Sequence, residues 1–588
     1  MKDKTNIIVF FLLAFVFIVS ILSIKEDTLT FDEPAHIGAG YSYLIKKEYR
    51  LNPEHPPLIK DIAAFPLLFL KLNFPEDHYA WQQKEPAFWW FQFDFGKELI
   101  YKANKPEKII FFSKLAMILL LVFTGFYLFL ETKNFFGKKI ALLTLFFFSF
   151  SPTFLAHGRL VTTDVGASLG VLLATFNFLR FLNFPSKRNL FFAGIALGVA
   201  LLIKFSLILL LPFLFFITLL FWFLKKPQNL SLFKIIFYFI LISVISLFLI
   251  IIPFYQLHVL NYEKERQIRD ISFNLENLGF PYFVKKFNIK LVEIDFLRGL
   301  AHYLLGLLMA IHRAASGNTM FFLGEISAEG WPHYFPLVFL LKEPLTFHFC
   351  FLISIIFLIF QLKNILKEKG FKELKKSLSL HFNLLALFIF VILYWLVSLK
   401  SKLNLGVRHL LPVFPFSYII ASVCLEKIIR EKYLNLKIIF FSFLFLWQIV
   451  SVIKSFPYFL SYFNELIGGP KNGFLYTTDS NLDWGQDLKR LALWVEKQKI
   501  EKIYLDYFGG GDPSYYLKEK YLPWNGKNDP SLLKKPAFLA VSVNSLQSGR
   551  ALPGKNFNED TLFYYWLFKY EPPVYKVGYS IFVYFLEK

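Results

Sequence analysis

The chain has 588 residues, 56% of them hydrophobic, and a formal net charge of +21. Apolar runs such as residues 7–24 and 205–224 reach the ~18 residues needed to cross a bilayer, which excludes a soluble enzyme. Because much of the Lys and Arg lies in short loops between these runs, the charge is typical of the cytoplasmic loops of a membrane protein, and no nucleic-acid partner is expected.

Run length and loop charge predict about 11 membrane spans. The first run lacks a small-residue cleavage site, so it is interpreted as a retained span. Alternate loops are strongly basic, and all of them lie on one side if the N-terminus is cytoplasmic, which places the C-terminus outside a cytoplasmic (inner) membrane. The predicted spans lie near residues 7–24, 109–130, 140–156, 167–184, 190–204, 206–224, 235–256, 344–361, 381–398, 411–426 and 438–455.

The first two long outer segments, residues 25–108 and 257–343, are too long and polar for simple connections, and a shorter outer loop covers residues 157–166. In the first segment, "LIKDIAAFPLLFLKL" is apolar but short and is bracketed by charges. These features predict a helix that lies on the membrane surface. Residues 1–455 are therefore predicted to form one transmembrane catalytic domain with outer loops.

The third long outer segment, residues 456–588, is predicted to be a small soluble α/β domain. "DLKRLALWVEKQ" has helical periodicity, whereas "KIYLDYF", "AFLAVSV" and "YSIFVYFL" are typical of strands separated by Gly and Pro turns. The predicted fold class is an α-helical polytopic membrane protein with helices in its outer loops and this extracytoplasmic C-terminal domain.

Acidic residues stand at two span borders on the predicted outer side. Asp32 and Glu33 follow the first span, with His36 close behind, and Asp164 lies in the 157–166 loop near His157 and Arg159. A span border is a costly place for a carboxylate without a partner or a task. The alternative is that Asp32 or Asp164 only caps the helix that begins there.

Cations accompany these acids on the same predicted side. No nucleotide is available there, so a transferase would need an activated donor from the bilayer. Arg binds phosphate with a two-pronged fork and Lys as a point charge, while a carboxylate accepts the proton of an attacking hydroxyl. This combination fits inverting glycosyl transfer from a polyprenyl phosphate, although Lys204 or Arg408 could instead be a snorkelling border residue. The outer basic and neighbouring residues are Glu54, His55, Lys60, Lys204, Lys400, Lys402, Arg408 and His409.

Five segments together carry a resemblance to a known superfamily: "FDEPAHIGAGYSYL", "LNPEHPPLIK", "SPTFLAHGRLVTTD", "LGVRHLLPVFPF" and "TTDSNLDWGQDLKRLALW". They occur in order and at compatible spacing over most of residues 1–500. In these segments the chain resembles the GT-C superfamily of membrane glycosyltransferases that use lipid-phosphate sugars. The most similar families are the protein O-mannosyltransferases (family 39-type) and the aminoarabinose transferases that modify lipid A.

The resemblance implies roles for individual residues. Asp32 is similar to the catalytic acidic residue of the first outer loop, Glu33 completes the Asp-Glu pair, and Asp164 is similar to the carboxylate of the second loop. Residues 54–57 resemble the Glu-Lys-Pro-Pro element of the aminoarabinose transferases, with His55, which is largely neutral at pH 7, in place of Lys. Arg408 is similar to a phosphate-binding arginine.

The predicted site is therefore a set of ten residues, with a polyprenyl-phosphate sugar as donor substrate and a divalent metal ion as an open alternative. The predicted catalytic residues are Asp32, Glu33 and Asp164; the donor-phosphate residues are Arg408, Lys204, His55, Lys402 and Arg159; and the metal candidates are Glu54 and His36.

Two other patterns have simpler interpretations. Residues 479, 481 and 483 alternate as in a calcium loop, but Gly485 comes one position late and Arg490 replaces the usual Glu, so a helix start with acids is favoured. "FGGGDPSYY" has no following Lys and too few well-spaced glycines for a phosphate loop, so it is interpreted as a turn after a strand.

The sequence thus predicts an enzyme that transfers a sugar, with inversion, from a polyprenyl-phosphate donor to a protein hydroxyl, a lipid or a glycan outside the cytoplasmic membrane. An oligosaccharyltransferase would resemble a Trp-Trp-Asp motif, which "NLDWGQD" does not match. A transporter or flippase of lipid-linked sugars would favour acids within spans and broken helices near the midplane. The notable acids here lie in outer loops, which favours the enzyme.

Overall fold

The structure is a computed structural model that describes residues 4–83, 89–227, 231–430 and 434–587. The first half of the chain is helical, and proline opens several helices at their first or second position, where its missing N–H has no partner to lose. Its helices are α1 (Thr5–Ser23), α2 (Glu33–Lys46), α3 (Leu58–Ala64), α4 (Tyr79–Gln82), α5 (Phe91–Lys97), α6 (Pro106–Phe136), α7 (Lys138–Ser149), α8 (Pro152–His157), α9 (Asp164–Asn183), α10 (Lys187–Leu201), α11 (Leu210–Lys225), α12 (Leu232–Ile245) and α13 (Ile252–His258).

The middle of the chain begins with more polar helices and returns to long apolar ones. A short hairpin, β1 (Met320–Phe322) and β2 (Glu325–Ser327), lies between these two groups. The helices are α14 (Lys264–Asn277), α15 (Tyr282–Glu293), α16 (Arg298–Ser316), α17 (Tyr334–Lys342), α18 (Leu345–Leu380), α19 (Phe382–Leu399), α20 (Phe414–Arg430) and α21 (Leu434–Lys454).

The C-terminal region contains a five-stranded mixed sheet in the order β4-β3-β5-β8-β7. The central strands β5 and β8 are buried along most of their length and pair antiparallel, which explains their nearly continuous apolar sequences. Its elements are α22 (Leu488–Lys497), β3 (Ile503–Asp506), α23 (Pro513–Leu517), β4 (Tyr521–Pro523), β5 (Ala537–Ser542), α24 (Val543–Ser548), β6 (Leu552–Pro553), β7 (Tyr575–Val577) and β8 (Ile581–Leu586).

The fold class predicted from the sequence is confirmed, and the number of long spans differs slightly. Among the described residues, nine helices are long and apolar enough to cross a membrane, or ten if the bent pair α15–α16 counts as one. The predicted spans at 140–156 and 190–204 correspond to shorter helices: α7 has 12 residues and is followed by the separate α8, and α10 has 15 residues. The segment after the predicted span 344–361 is helical too, since α18 continues to Leu380 with a break at Gly370, where φ is 75°.

The C-terminal region is joined in two places to segments that connect the long helices. Strand β6 pairs in parallel with β2, between α16 and α17. Residues 484–486 also accept two backbone hydrogen bonds from the loop after α1: Phe31 N–H bonds Trp484 O at 3.0 Å, and Thr28 N–H bonds Gln486 O at 2.9 Å. These contacts bring residues of the C-terminal region to the predicted site.

Candidate active site

Asp32 lies immediately before α2 and does not act as its cap. Its side chain accepts no capping hydrogen bond from the described residues, although it occupies the N-cap position. The side chain is 26% exposed, whereas the neighbouring Glu33 is fully buried. Asp32 therefore keeps a carboxylate that is accessible from outside the protein and is not needed to begin the helix.

Arg408 brings the two predicted carboxylates together. It lies in the tight helical turn Val407–Val413 that precedes α20. Its Nη1 is 3.5 Å from Oδ2 of Asp32 and 3.3 Å from Oδ2 of Asp164. The Arg408 side chain is 11% exposed, so this cation is held inside the protein by carboxylates and does not extend to a lipid headgroup as a snorkelling residue would.

Lys204 completes the cluster from the opposite side of Asp164. Its backbone is extended between α10 and the turn that leads into α11, and its Nζ lies 2.6 Å from Oδ1 of Asp164. Asp164, the first residue of α9, is 1% exposed and thus holds one cation on each oxygen. Four residues predicted from four different outer segments meet in one place.

The C-terminal segment supplies further residues to this cluster. The Arg408 Nε–H donates to Ser480 Oγ at 3.1 Å, and the guanidinium carbon lies 4.2 Å from the centroid of a Trp484 ring. Asp479 is 8% exposed, and burial raises its pKa to about 6 against the opposing charge of Arg408. The sequence predicts a helix start at these residues, whereas α22 begins only at Leu488.

Burial shifts the pKa values of Asp32 and of two nearby histidines in opposite directions. Burial raises the pKa of Asp32, and the charge of Arg408 opposes this shift. Burial lowers the pKa of His36 to about 3, assisted by the charge of Lys60, and holds the pKa of His55 well below its usual value. Both imidazoles are therefore neutral at working pH, as expected from the sequence for His55, and the assignment of His55 to the donor phosphate stays a prediction.

Glu33, the third predicted catalytic residue, has different contacts from Asp32 and Asp164. Glu33 accepts hydrogen bonds from the backbone N–H groups of Thr30 (2.7 Å) and Val161 (2.9 Å) and forms an ion pair with Lys114 at 3.4 Å. Its two carboxylate oxygens thus connect the loop after α1, the loop after α8 and helix α6. This arrangement favours a structural role over a catalytic one.

Arg159 and Lys402 lie outside the cluster. Arg159 is 1% exposed and forms a buried ion pair with Asp27, which also contacts Arg490 at 2.8 Å. Lys402 is exposed, and its backbone and Cβ lie beside Gly317. These contacts lend no support to a phosphate-binding role for either residue, and both assignments stay predictions.

The metal candidates do not form a ligand set. Glu54 accepts a hydrogen bond from Trp89 Nε1 at 2.8 Å, and the His36 ring packs 5.1 Å from that of His55. Within residues 4–83, 89–227, 231–430 and 434–587, no group of three or more His, Cys, Asp or Glu could hold a metal ion. Glu54 and His36 therefore do not fit a divalent metal, because no such group among the described residues includes them.

A cavity of about 380 Å³ is lined by other residues than the four of the cluster. The charges of two of its lining residues, Glu54 and Arg313, act on Asp32: Glu54 raises the pKa of that carboxyl and Arg313 lowers it. The cavity walls combine aromatic, amide and charged side chains. They include Glu54, Trp89, Gln92, Asn274, His312 and Arg313.

These features define a class: a polytopic membrane protein in which segments between the long helices bring carboxylates and phosphate-compatible cations together. Residues 95–254 match the sequence profile of the family described as dolichyl-phosphate-mannose-protein mannosyltransferase. This match includes Asp164 and Lys204 and confirms the resemblance to the GT-C superfamily. A search of curated proteins finds no sequence that matches this chain.

Three solved structures resemble this one at low identity. ArnT from Cupriavidus metallidurans bound to undecaprenyl phosphate is 12% identical with a TM-score of 0.43, covering 99% of this chain and 98% of that chain. The archaeal oligosaccharyltransferase AglB from Archaeoglobus fulgidus, in complex with an inhibitory peptide and a dolichol-phosphate, is 12% identical with a TM-score of 0.46, covering 90% and 69%. The S. cerevisiae protein O-mannosyltransferase Pmt1-Pmt2 complex bound to the sugar donor is 20% identical with a TM-score of 0.32, covering 43% and 34%.

Proposed function

We propose that this protein transfers a glycosyl group, with inversion, from a polyprenyl-phosphate sugar to a hydroxyl acceptor on a protein, lipid or glycan. One observation carries the proposal: Arg408 lies within 3.5 Å of Asp32 and within 3.3 Å of Asp164, whose other oxygen binds Lys204. A base and two cations in one cluster are the groups that a phosphate leaving group and a hydroxyl nucleophile require.

In the proposed reaction the donor phosphate binds Arg408 and Lys204. The acceptor oxygen forms a bond to the anomeric carbon from the face opposite the phosphate, and its proton passes to the Asp32 carboxylate. The bond between this carbon and the phosphate oxygen breaks, and the electron pair stays on the phosphate. Asp164 acts as a positioning residue, because it holds both cations where the leaving group develops charge.

We assign the cavity beside Glu54 and Trp89 to the sugar or the acceptor group next to Asp32. Its volume of about 380 Å³ is within the range usual for small-ligand pockets. Trp89 offers an aromatic face for a sugar ring, while Glu54 and Asn274 offer hydrogen-bonding partners for hydroxyl groups. Arg313, on the same wall, keeps a positive charge near Asp32.

We place the reaction at the extracytoplasmic face of the cytoplasmic membrane, with the N-terminus inside. The basic loops alternate with the loops that carry the site, which supports this orientation. Residues 1–455 would then form the membrane domain, and residues 456–588 an extracytoplasmic domain that borders the site.

The test uses purified full-length protein in nanodiscs with a panel of radiolabelled polyprenyl-phosphate sugars and hydroxyl acceptors. We expect release of polyprenyl phosphate together with labelled acceptor, and loss of both in Asp32→Asn. The alternative, a flippase, predicts that wild-type protein moves the intact donor across vesicle membranes without cleaving it. That result would replace the proposed function.

A further inference from the structure

We propose that the segment of residues 479–486 is a positioning element that fixes Arg408 relative to Asp32 and so determines how tightly the donor phosphate binds. This inference rests on the proposed function and assigns a role to a part of the C-terminal region. Asp32 and Arg408 are 376 positions apart in the chain, yet Arg408 Nη1 lies 3.5 Å from Asp32 Oδ2. The 479–486 segment contacts the backbone on both sides of this pair.

On one side the segment binds the turn that carries Arg408. Ser480 Oγ accepts the Arg408 Nε–H at 3.1 Å and donates to Leu405 O. Asn481 Oδ1 accepts the backbone N–H of Val407 at 2.9 Å, one residue before the arginine. These three hydrogen bonds fix both the backbone of the turn and the direction in which the guanidinium leaves it.

Trp484 covers one face of the same guanidinium. Its ring centroid is 4.2 Å from the guanidinium carbon, and the residue is 1% exposed. An aromatic face attracts the cation without using its N–H groups, which point outward in the guanidinium plane. The stacking therefore holds Arg408 while leaving its Nη edge free for a carboxylate or a phosphate.

On the other side the segment binds the loop that ends at Asp32. Trp484 O accepts the N–H of Phe31 at 3.0 Å, and Gln486 O accepts the N–H of Thr28 at 2.9 Å. The Thr28 hydroxyl donates to Gly485 O at 2.6 Å. Trp484 thus contacts the cation through its ring and the residue before Asp32 through its carbonyl group.

Glycine at two positions permits this close packing. At Gly406, where φ is 129°, an added Cβ would lie 2.3 Å from Ser480 Oγ. At Gly510, in the run interpreted from the sequence as a turn, an added Cβ would lie 2.2 Å from Thr30 O. Any side chain at these positions would push the segment or its neighbour away from the site.

The segment is also anchored from α17. Buried Lys342 donates to the carbonyl oxygens of Asn481 at 2.5 Å and Leu460 at 2.8 Å. A buried ammonium group that loses such acceptors would be costly, so the position of the segment is strongly determined. It is therefore rigid enough to position a phosphate-binding arginine.

The test measures the affinity of purified full-length protein in nanodiscs for undecaprenyl phosphate, together with thermal stability. We expect Trp484→Leu to weaken binding roughly tenfold and Ser480→Ala several-fold, from loss of the cation–aromatic contact and of one hydrogen bond. Matched controls in the same region are Trp524→Leu, a buried tryptophan (8% exposed), and Ser545→Ala, which loses a 3.0 Å bond to Asp506. The controls should leave the affinity unchanged.

A double-mutant cycle separates positioning from general stability. Arg408→Lys removes the Nε–H that Ser480 accepts, so Ser480→Ala should cause a smaller loss of affinity in that background, where only its bond to Leu405 O is left to lose. Equal losses in the control variants, or fully additive losses in the cycle, would overturn the positioning role. If wild-type protein does not bind undecaprenyl phosphate, the proposed function fails as well. If wild-type protein binds this lipid and the Ser480 and Trp484 variants bind it with the same affinity, only the inference about the 479–486 segment is overturned.

Discussion

Lys204 Nζ lies 2.6 Å from Oδ1 of Asp164, while Oδ2 of the same carboxylate lies 3.3 Å from Arg408 Nη1. Asp164 is thus held between two cations and is 1% exposed. Asp32 is 3.5 Å from Arg408, and its side chain is 26% exposed. Because two close cations make a carboxylate a weak proton acceptor, Asp164 suits the positioning of cations and Asp32 suits the role of base.

The first prediction concerns Asp32→Asn. The amide keeps the shape of the side chain but cannot accept the acceptor's proton, so turnover should fall by ~10²–10⁴. Binding of undecaprenyl phosphate should persist, since Arg408 and Lys204 remain. Single-turnover rates and lipid affinity measured on the same folded preparation check both points. Retention of more than about half of the wild-type rate would remove Asp32 from this role.

The second prediction concerns the pH dependence of kcat/KM. Asp32 must be ionised to act as base, and burial raises its pKa above 3.8, so activity should fall with decreasing pH at a midpoint above that value. The charge of Glu54 raises the pKa of Asp32. In Glu54→Gln the acid limb should therefore move to lower pH. A shift to higher pH would contradict this coupling.

Much of the fold was predictable because short stretches of the sequence indicate its helices and strands. Short apolar runs predict the strands at residues 503–506, 537–542 and 581–586. The order of the predicted spans places four residues on one side of the membrane and near the ends of spans, and the structure brings these residues together: Asp32, Asp164, Lys204 and Arg408.

Other features depend on contacts that no local pattern encodes. Arg408 and Ser480 are 72 positions apart, and Glu33 and Val161 are 128 apart. The pairing of Asp32 with Glu33 was misleading because successive residues at a helix start point about 100° apart. One carboxylate therefore meets the site, and the other meets buried backbone groups.

The third prediction follows from this difference. Glu33→Gln leaves the buried Lys114 without its anionic partner, and breaking a buried pair typically costs ~3–5 kcal/mol. Thermal stability should therefore fall, while the affinity of the folded fraction for undecaprenyl phosphate should match that of wild-type protein. Unchanged stability with a loss of turnover similar to that of Asp32→Asn would instead assign Glu33 to catalysis.

The fourth prediction concerns topology. Single cysteines at three exposed lysines distinguish the two sides: Lys105→Cys before α6, Lys527→Cys in the C-terminal region and Lys369→Cys beside the break in α18. In intact cells with permeabilised outer membranes, an impermeant thiol reagent should label the first two and spare the third. Labelling at residue 369 alone would invert the orientation and exclude an outer active site.

The last prediction concerns the donor phosphate. Arg408 remains charged at any working pH and cannot act as base, so its variants should change donor affinity before they change the pH profile.

Arg408→Lys keeps the charge but loses the planar fork, and it should weaken donor binding partially. Arg408→Ala removes charge-assisted hydrogen bonds worth roughly 1.5–3 kcal/mol each, so its loss of affinity should be larger. Lys204→Gln should resemble Arg408→Ala, because each removes one cation beside Asp164, whereas the exposed Lys471→Gln is the matched control. Donor-concentration dependence in purified protein measures all four variants. Normal donor affinity in Arg408→Ala would show that this arginine only balances the two carboxylates, and the phosphate site would then have to centre on Lys204.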